Sequence, residues 1–286
     1  MFRLRIGYIV SGIITGFVLI SQFLLSLPDG RLHITFCNVG QGDAAYIRFP
    51  DGRDMLIDGG PGNAVLGCLG SAMPFWDRHI DIILLTHPEK DHLAGLLSVL
   101  SRYQTQYVLR SDIDHTTELY ASFRSLLTEK NIPEKYVHAG DALRIGDVHI
   151  RILWPTDTHI ASAKSNVLGV HSGGVNEFSV VALLQYGSFD ALFTGDATLH
   201  QSFAWQAVDA IEVLKVPHHG SKTGMNPDVV EWLSPSVAVI SSGKNSYGHP
   251  AKEILQMLAE RNVRVLRTDH GEDIRIVADG ARWSVE

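Results

Sequence analysis

The chain reads as a layered α/β domain carried behind one apolar N-terminal helix, and three observations predict it. After Gly30, short runs rich in β-branched and aromatic residues are interspersed with amphipathic runs. An uncharged apolar stretch from Ile6 to Leu27 stands apart at the start. Four strand-like runs end on a residue able to hold a metal ion: Asp58, His87, Asp196 and the pair His218–His219.

The first segment, "MFRLRIGYIVSGIITGFVLISQFLLSLPDG", sets Arg3 and Arg5 before an apolar run of about the length that crosses a bilayer as a helix. It lacks a polar face, which disfavours a buried soluble helix, and no small-x-small cleavage site stands out before Pro28. Residues 1–29 are therefore expected to be a membrane anchor, with a cleaved signal as the alternative. Basic residues on the short side place the N-terminus in the cytoplasm and residues 30–286, the expected hydrolase domain, outside it.

"RLHITFCNV", "AAYIRFP", "RDMLID" and "IDIILLT" follow as strands, separated by "GQGD", "DG" and "GGPGN". "DHLAGLLSVLSRY" has helical spacing with Asp91 as its expected N-cap, and "ELYASFRSLLTEK" is a second helix. Later come "VHIRILWP", "FSVVALLQYG", "FDALFTGD" and "IEVLKVPHHG" as strands and "AKEILQMLAERN" as a helix. The stretch from Thr156 to Val175 reads as a mobile surface loop.

Composition narrows the function classes. A length of 286 residues with 45% hydrophobic content gives one substantial core. A formal net charge of −7 gives no general attraction for polyanions, so any phosphate recognition must be local. Cys37 and Cys68 have no metal-type spacing, and they are expected to be unpaired thiols in a core.

In "LLTHPEKDHLAG" a strand ends at Thr86 and a helix begins near Asp91, so His87, Asp91 and His92 can converge on one point. Convergent imidazoles and carboxylates are what a divalent ion requires. The bland reading is a surface loop with incidental histidines. Against it, Asp196 in "ALFTGDAT" and His218–His219 in "LKVPHHGSKTG" also end apolar strands, and the ends of neighbouring strands lie side by side.

With these pieces in order, the chain resembles the metallo-β-lactamase superfamily, and within it the hydrolase domain of ComEC-type competence (DNA-uptake) proteins. "NVGQGDAAYIRFPDGRDMLIDGG", "LTHPEKDHLAGL", "NEFSVVALLQYGSFDALFTGDA", "LKVPHHGSKTG" and "SGKNSYGHP" carry the resemblance over essentially Leu32 to Glu286. It implies a four-layer αββα sandwich with one or two divalent ions, zinc or manganese, at one edge, and phosphodiester hydrolysis. By position it implies that His87, Glu89, Asp91, His92, Asp196 and His219 hold metal. Asp91 would also orient the attacking water, and His218 and His249 would contact substrate or the water. Asp58 would hold a ligand histidine from behind, a support that a metal-bound imidazole needs.

The superfamily usually has His where this chain has Glu89, and a further His where it has Asn176; His171 lies five residues upstream of that position. Glu89 also resembles the di-iron centre of flavodiiron oxidoreductases, which do not account for "VGQGD" or "NSYGHP". Lys215, Lys222, Lys244, Arg264 and Arg267 are the cations placed to meet phosphates, each with ordinary solvated surface as its plainer reading. The expected protein is an extracytoplasmic, membrane-anchored phosphodiesterase or nuclease, with single-stranded DNA as a possible substrate and a separate translocation protein as a possible partner. The alternatives are a phosphorylcholine-esterase-like or lactamase-like hydrolase of small molecules, and a binding domain whose metal site has decayed.

Overall fold

The computed structural model describes residues 2–165, 175–206 and 208–286. Helix α1 (Phe2–Ser26) precedes a first half made of β1 (Leu32–Phe36), β2 (Ala45–Arg48), β3 (Asp54–Ile57), α2 (Ala64–Ala72), β4 (His79–Leu85), α3 (Lys90–Arg102), β5 (Gln104–Arg110), α4 (Glu118–Glu129) and β6 (Glu134–Tyr136). The second half holds β7 (Ala142–Ile145), β8 (Val148–Trp154), α5 (Asp157–Ser165), β9 (Val181–Tyr186), β10 (Phe189–Phe193), β11 (Val213–Lys215), α6 (Pro227–Leu233), β12 (Val237–Ile240), α7 (Lys252–Glu260) and β13 (Arg264–Arg267). β14 (Ile274–Ala278) and β15 (Trp283–Val285) return to the first half.

These strands form an eight-stranded sheet, β15-β14-β1-β2-β3-β4-β5-β6, and a seven-stranded sheet, β13-β12-β11-β10-β9-β8-β7. Alternation along single strands explains why the sheets stack with helices outside. Ile82 and Leu84 of β4 face the core between the sheets, while Ile83 and Leu85 pack under the first helical layer. Ala182 and Leu184 of β9 do the same from the other sheet, with Val181 and Leu183 turned to the second helical layer. The result is an αββα sandwich, as the resemblance implies.

Parallel pairing within each half decides where the site falls. β3, β4, β5 and β6 run parallel in one sheet, and β10, β11, β12 and β13 run parallel in the other. Their C-terminal ends open on one rim, where Val180 N–H bonds Thr86 C=O across the two sheets at 2.9 Å. α3 reaches this rim because Gly95 lies flat against the Gly59 backbone, where a Cβ would come within 1.8 Å of the Gly59 oxygen. The two chain turns are so close that only glycine fits.

Helix α1 stands outside the sandwich. Its window Gly7–Leu24 has mean hydropathy 1.7 and none of it is buried, so it is long and apolar enough to cross a membrane, and a signal sequence has the same properties.

Three expectations need correction here. Cys37 and Cys68 are buried but bonded to each other, with Cα atoms 5.7 Å apart, because α2 packs over the end of β1. Glu89, not Asp91, occupies the N-cap position of α3. Asp91 sits in the first turn with its carboxylate drawn to His219. The first half of the expected loop from Thr156 to Val175 is helix α5, and His171 lies outside the described residues.

The disulfide ties the segment leading to the site to the first helical layer across a separation of 31 residues. Reducing it, or replacing both cysteines by alanine, is expected to cost about 2–4 kcal/mol of stability through the freed chain entropy of the unfolded state. Urea unfolding with and without reductant measures the loss, and overlapping curves would contradict it.

Candidate metal centre

His87, Asp196 and His219 each follow a strand end, and Asp91 and His92 come from the first turn of α3. The ligand atoms of Asp91, His92, Asp196 and His219 lie within 4.8 Å of one another. His92 Nε2 is 3.2 Å from Asp196 Oδ1, and His219 Nε2 is 3.3 Å from Asp91 Oδ2 and 3.4 Å from Asp196 Oδ2. His87 lies beside His92 with ring centroids 4.1 Å apart and the rings tilted by 52°. The other sequence-predicted residues spread around this group. His218 Nε2 is 3.7 Å from Asp196 Oδ2, and the His249 ring lies 5.4 Å from that of His218. Glu89 is on the cleft wall, outside the four-residue cluster, and Asn176 has a buried side-chain oxygen with no hydrogen bond.

The pattern of satisfied and unsatisfied atoms fits a divalent ion. His87 Nε2, His92 Nε2, His219 Nε2 and Asp196 Oδ1 are all buried without a hydrogen bond. Buried polar atoms are ordinarily paired, and three of these four belong to residues of the close cluster, so they mark a ligand position. The opposite ring nitrogens, by contrast, are held. His92 Nδ1 is 2.8 Å from Asp58 Oδ2, His219 Nδ1 is 2.9 Å from Ser241 C=O, and His87 Nδ1 is 3.1 Å from both Thr86 Oγ1 and Ser179 Oγ. Fixing one nitrogen sets the ring angle and leaves the other as donor to a metal. Asp43, Asp58 and His92 form a second close group, but there the contacts are already mutual or shared with neighbours. The centre is a divalent-metal cofactor site.

Asp58 is placed to do this by an uncommon backbone. Its φ is 57°, and its carboxylate accepts from Thr86 N–H at 2.8 Å and Thr86 Oγ1–H at 2.7 Å while its other contact is His92. His218 and His219 are also left-handed, with φ of 49° and 52°. Such conformations cost stability in residues other than glycine and persist where surrounding contacts fix them, here at the metal rim.

Sequence reasoning did not single out the network behind His219. Asp43 Oδ1 lies 3.2 Å from His219 Nδ1, and its other oxygen pairs with Lys215. Lys215 is only 4% exposed, so it supports the site from inside and does not meet phosphate. Lys222 pairs with Glu253 on the surface and Arg267 with Asp269, whereas Lys244 lines the cleft. Thr86, Ser179 and Ser241 were equally silent, since a hydroxyl or a carbonyl beside a motif has no distinctive spacing.

The electrostatics follow from crowding three carboxylates, Asp43, Asp58 and Asp196, and three imidazoles out of water, with Asp91 at the edge. Burial, joined by the charge of His92, pushes His87 down to about 3, so it is neutral. Burial also lowers His218 and His249. For His92 and His219 burial is outweighed by Asp196, with Asp58 and Asp43 adding to it, and both are held well above the ordinary value. Glu89 is raised by burial and then by Asp91 and Asp196.

A pH dependence follows. Because His92 and His219 have folded values above their unfolded ones, their protonation stabilises the metal-free chain fully below about pH 6.5 and is lost as pH rises through the raised values. A metal ion competes with the same protons and so binds better as pH rises. The gain in Tm between chelated and zinc- or manganese-loaded protein is expected to be larger at pH 8.5 than at pH 6, and a gain that shrinks with pH would contradict this reading.

The centre opens into a cleft of about 930 Å³ lined by Glu89, Lys90, Asp91, His115, Asp196, His218, His219, Lys244, Asn245, Ser246, Tyr247 and His249 among others. Asn245 holds the outer loop: its Nδ2 donates to Gly243 C=O and His249 C=O, and its Oδ1 accepts from the N–H groups of Tyr247 and His249. The cleft is thus walled by imidazoles within and by cations and one aromatic ring at its mouth.

Comparison with known proteins agrees with this fold. Residues 37–244 match the family model described as "Metallo-beta-lactamase superfamily". Among curated proteins, ComE operon protein 3 of Bacillus subtilis is 26% identical over 295 residues, 93% of this chain and 35% of that protein. Recombination protein 2 of Haemophilus influenzae is 27% identical over 248 residues, 84% of this chain and 28% of that protein. The chain therefore spans about a third of the length of these relatives. Among solved structures, the metallo-beta-lactamase fold protein YhfI of Bacillus subtilis aligns with a TM-score of 0.58 at 14% identity, over 86% of this chain and 99% of that one. Igni18, a metallo hydrolase of Ignicoccus hospitalis, aligns with a TM-score of 0.56 at 15% identity, over 85% and 98% respectively.

Proposed function

The chain belongs to the metallo-beta-lactamase superfamily and is a metal-dependent hydrolase, and from that premise we propose that it cuts phosphodiester bonds, with nucleic acid as substrate, outside the cytoplasm. The observation that carries the substrate reading is the cleft. Lys90, Lys244 and Tyr247 gather at the mouth of an open site on a molecule whose net charge is −7, which is the local phosphate recognition that the overall charge demands. A relative named for recombination points the same way.

One or two divalent ions held by Asp91, His92, Asp196 and His219, with His87 beside them, supply Lewis acidity and a water of lowered pKa. The residues do the rest. Asp91, with its side chain 31% exposed at the cleft wall, accepts a hydrogen bond from the attacking water and so aims it. His218 and His249, whose proton affinity burial lowers, line the cleft, and His249 in its outer position donates a ring N–H to the leaving oxygen. Lys244 neutralises phosphate charge at the rim.

Two features support an extracytoplasmic setting. Arg3 and Arg5 precede an apolar helix, which orients α1 as an anchor with the domain outside, and a buried disulfide belongs to an oxidising compartment. The test is a cleavage assay of the full chain with manganese and with zinc, on single-stranded DNA, bis(p-nitrophenyl) phosphate and a β-lactam. Cleavage of DNA and of the chromogenic diester, with the lactam untouched, is expected. Turnover of the lactam alone would overturn the proposal.

A further inference from the structure

Phe75 and Trp76 form an exposed aromatic pair in the turn between α2 and β4. They are 59% and 42% exposed, and their rings meet edge to face with centroids 4.7 Å apart. Two large aromatic side chains left in water on adjacent positions lose the burial that each would otherwise gain, and such a patch marks a contact surface. The pair also touches α1: the Phe23 ring lies 6.3 Å from that of Trp76. Phe23 belongs to the last part of the apolar window Gly7–Leu24, so the patch is continuous with the surface that a bilayer would cover. Tryptophan, with an apolar body and one N–H donor, is the side chain best suited to the boundary between acyl chains and headgroups.

Strand direction then fixes what lies at the other end. β1 leaves the exit of α1 and ends at Phe36, and β4 starts just after the Phe75–Trp76 turn and ends at Leu85, two residues before His87. β1 and β4 run the same way, since β1–β2 and β2–β3 are antiparallel and β3–β4 is parallel. Seven residues of β4 at about 3.3 Å each set the metal rim roughly 20 Å or more from the aromatic turn.

We propose that the turn carrying Phe75 and Trp76 is a second membrane contact, seated in the interfacial layer of the bilayer that holds α1, and that it holds the catalytic cleft facing away from that bilayer. The proposal rests on the anchor reading of α1. It adds that the substrate arrives from the aqueous side and is not a lipid headgroup of the same membrane. Phosphodiesters of soluble or cell-surface polymers can reach a cleft so placed, whereas a phospholipid in the anchoring leaflet cannot.

The full chain reconstituted in vesicles of phosphatidylcholine and phosphatidylglycerol, with or without bromine on the acyl chains near the headgroup, tests both halves. Helix α1 has no tryptophan, so bromine quenching of tryptophan emission reports on the domain. Quenching in the parent protein that is lost in Trp76→Phe is expected. A Ser246→Cys variant, whose added thiol is the one free thiol beside the disulfide, carries a dye at the cleft mouth, and its emission is expected to ignore bromine. Equal quenching of the parent and Trp76→Phe, or a quenched dye at position 246, would overturn the proposal. Alkaline carbonate extraction separates the two readings: protein that is washed off refutes the anchor, while retained protein with an unquenched Trp76 refutes the second contact alone.

Discussion

Replacing Asp196 by alanine is expected to lower phosphodiester cleavage on the order of 10³-fold or more, equivalent to about 4 kcal/mol of lost transition-state stabilisation. Asp196 faces three imidazoles at once: His92 on one oxygen, His219 and His218 on the other. Removing the carboxylate takes away both the ligand and the anion that holds the two deeper imidazoles in place. Metal content measured on the purified variant should fall with activity. Asp196→Asn keeps the shape and its backbone N–H bond to Ser179 Oγ, so a folded but metal-poor and inactive Asn variant distinguishes a ligand from a mere packing residue. Retained metal and retained rate in that variant would remove Asp196 from the centre.

The legible parts of this molecule were those with short-range patterns. β4, β10 and β11 are apolar runs followed within a few positions by a metal-capable residue, and the rule that parallel strands share a rim was enough to bring their ends together. α2 escaped because "AVLGCLGSA" has two glycines and no polar face, so neither periodicity nor propensity separates it from loop. The pairing of Cys37 with Cys68 escaped for a related reason: it is created by α2 packing over β1, and two cysteines 31 residues apart say nothing of that. Lys215 was misread because a lysine beside a motif looks like surface, and its buried partner Asp43 comes from the opposite sheet's side of the core. Support residues are specified by tertiary contacts, and a sequence shows those only once the fold is known.

That buried pair makes the second large prediction. Lys215 Nζ is ion-paired with Asp43 and also donates to Val216 C=O at 3.1 Å, while Asp43 faces His219 Nδ1 at 3.2 Å. Burial would raise Asp43, but the Lys215 charge, with help from His219, holds it down at about 2. Lys215→Met leaves the enclosed carboxylate with only the His219 charge, which is shared with Asp91 and Asp196, and a buried pair broken on one side costs about 3–5 kcal/mol. The double variant Lys215→Met with Asp43→Leu removes both charges and is expected to recover much of that loss, because His219 Nδ1 keeps its 2.9 Å bond to Ser241 C=O. Urea unfolding of metal-free protein gives the three stabilities. Equal losses in the single and double variants would mean that the pair contributes packing and not charge, and that the ring of His219 is oriented by the Ser241 carbonyl alone.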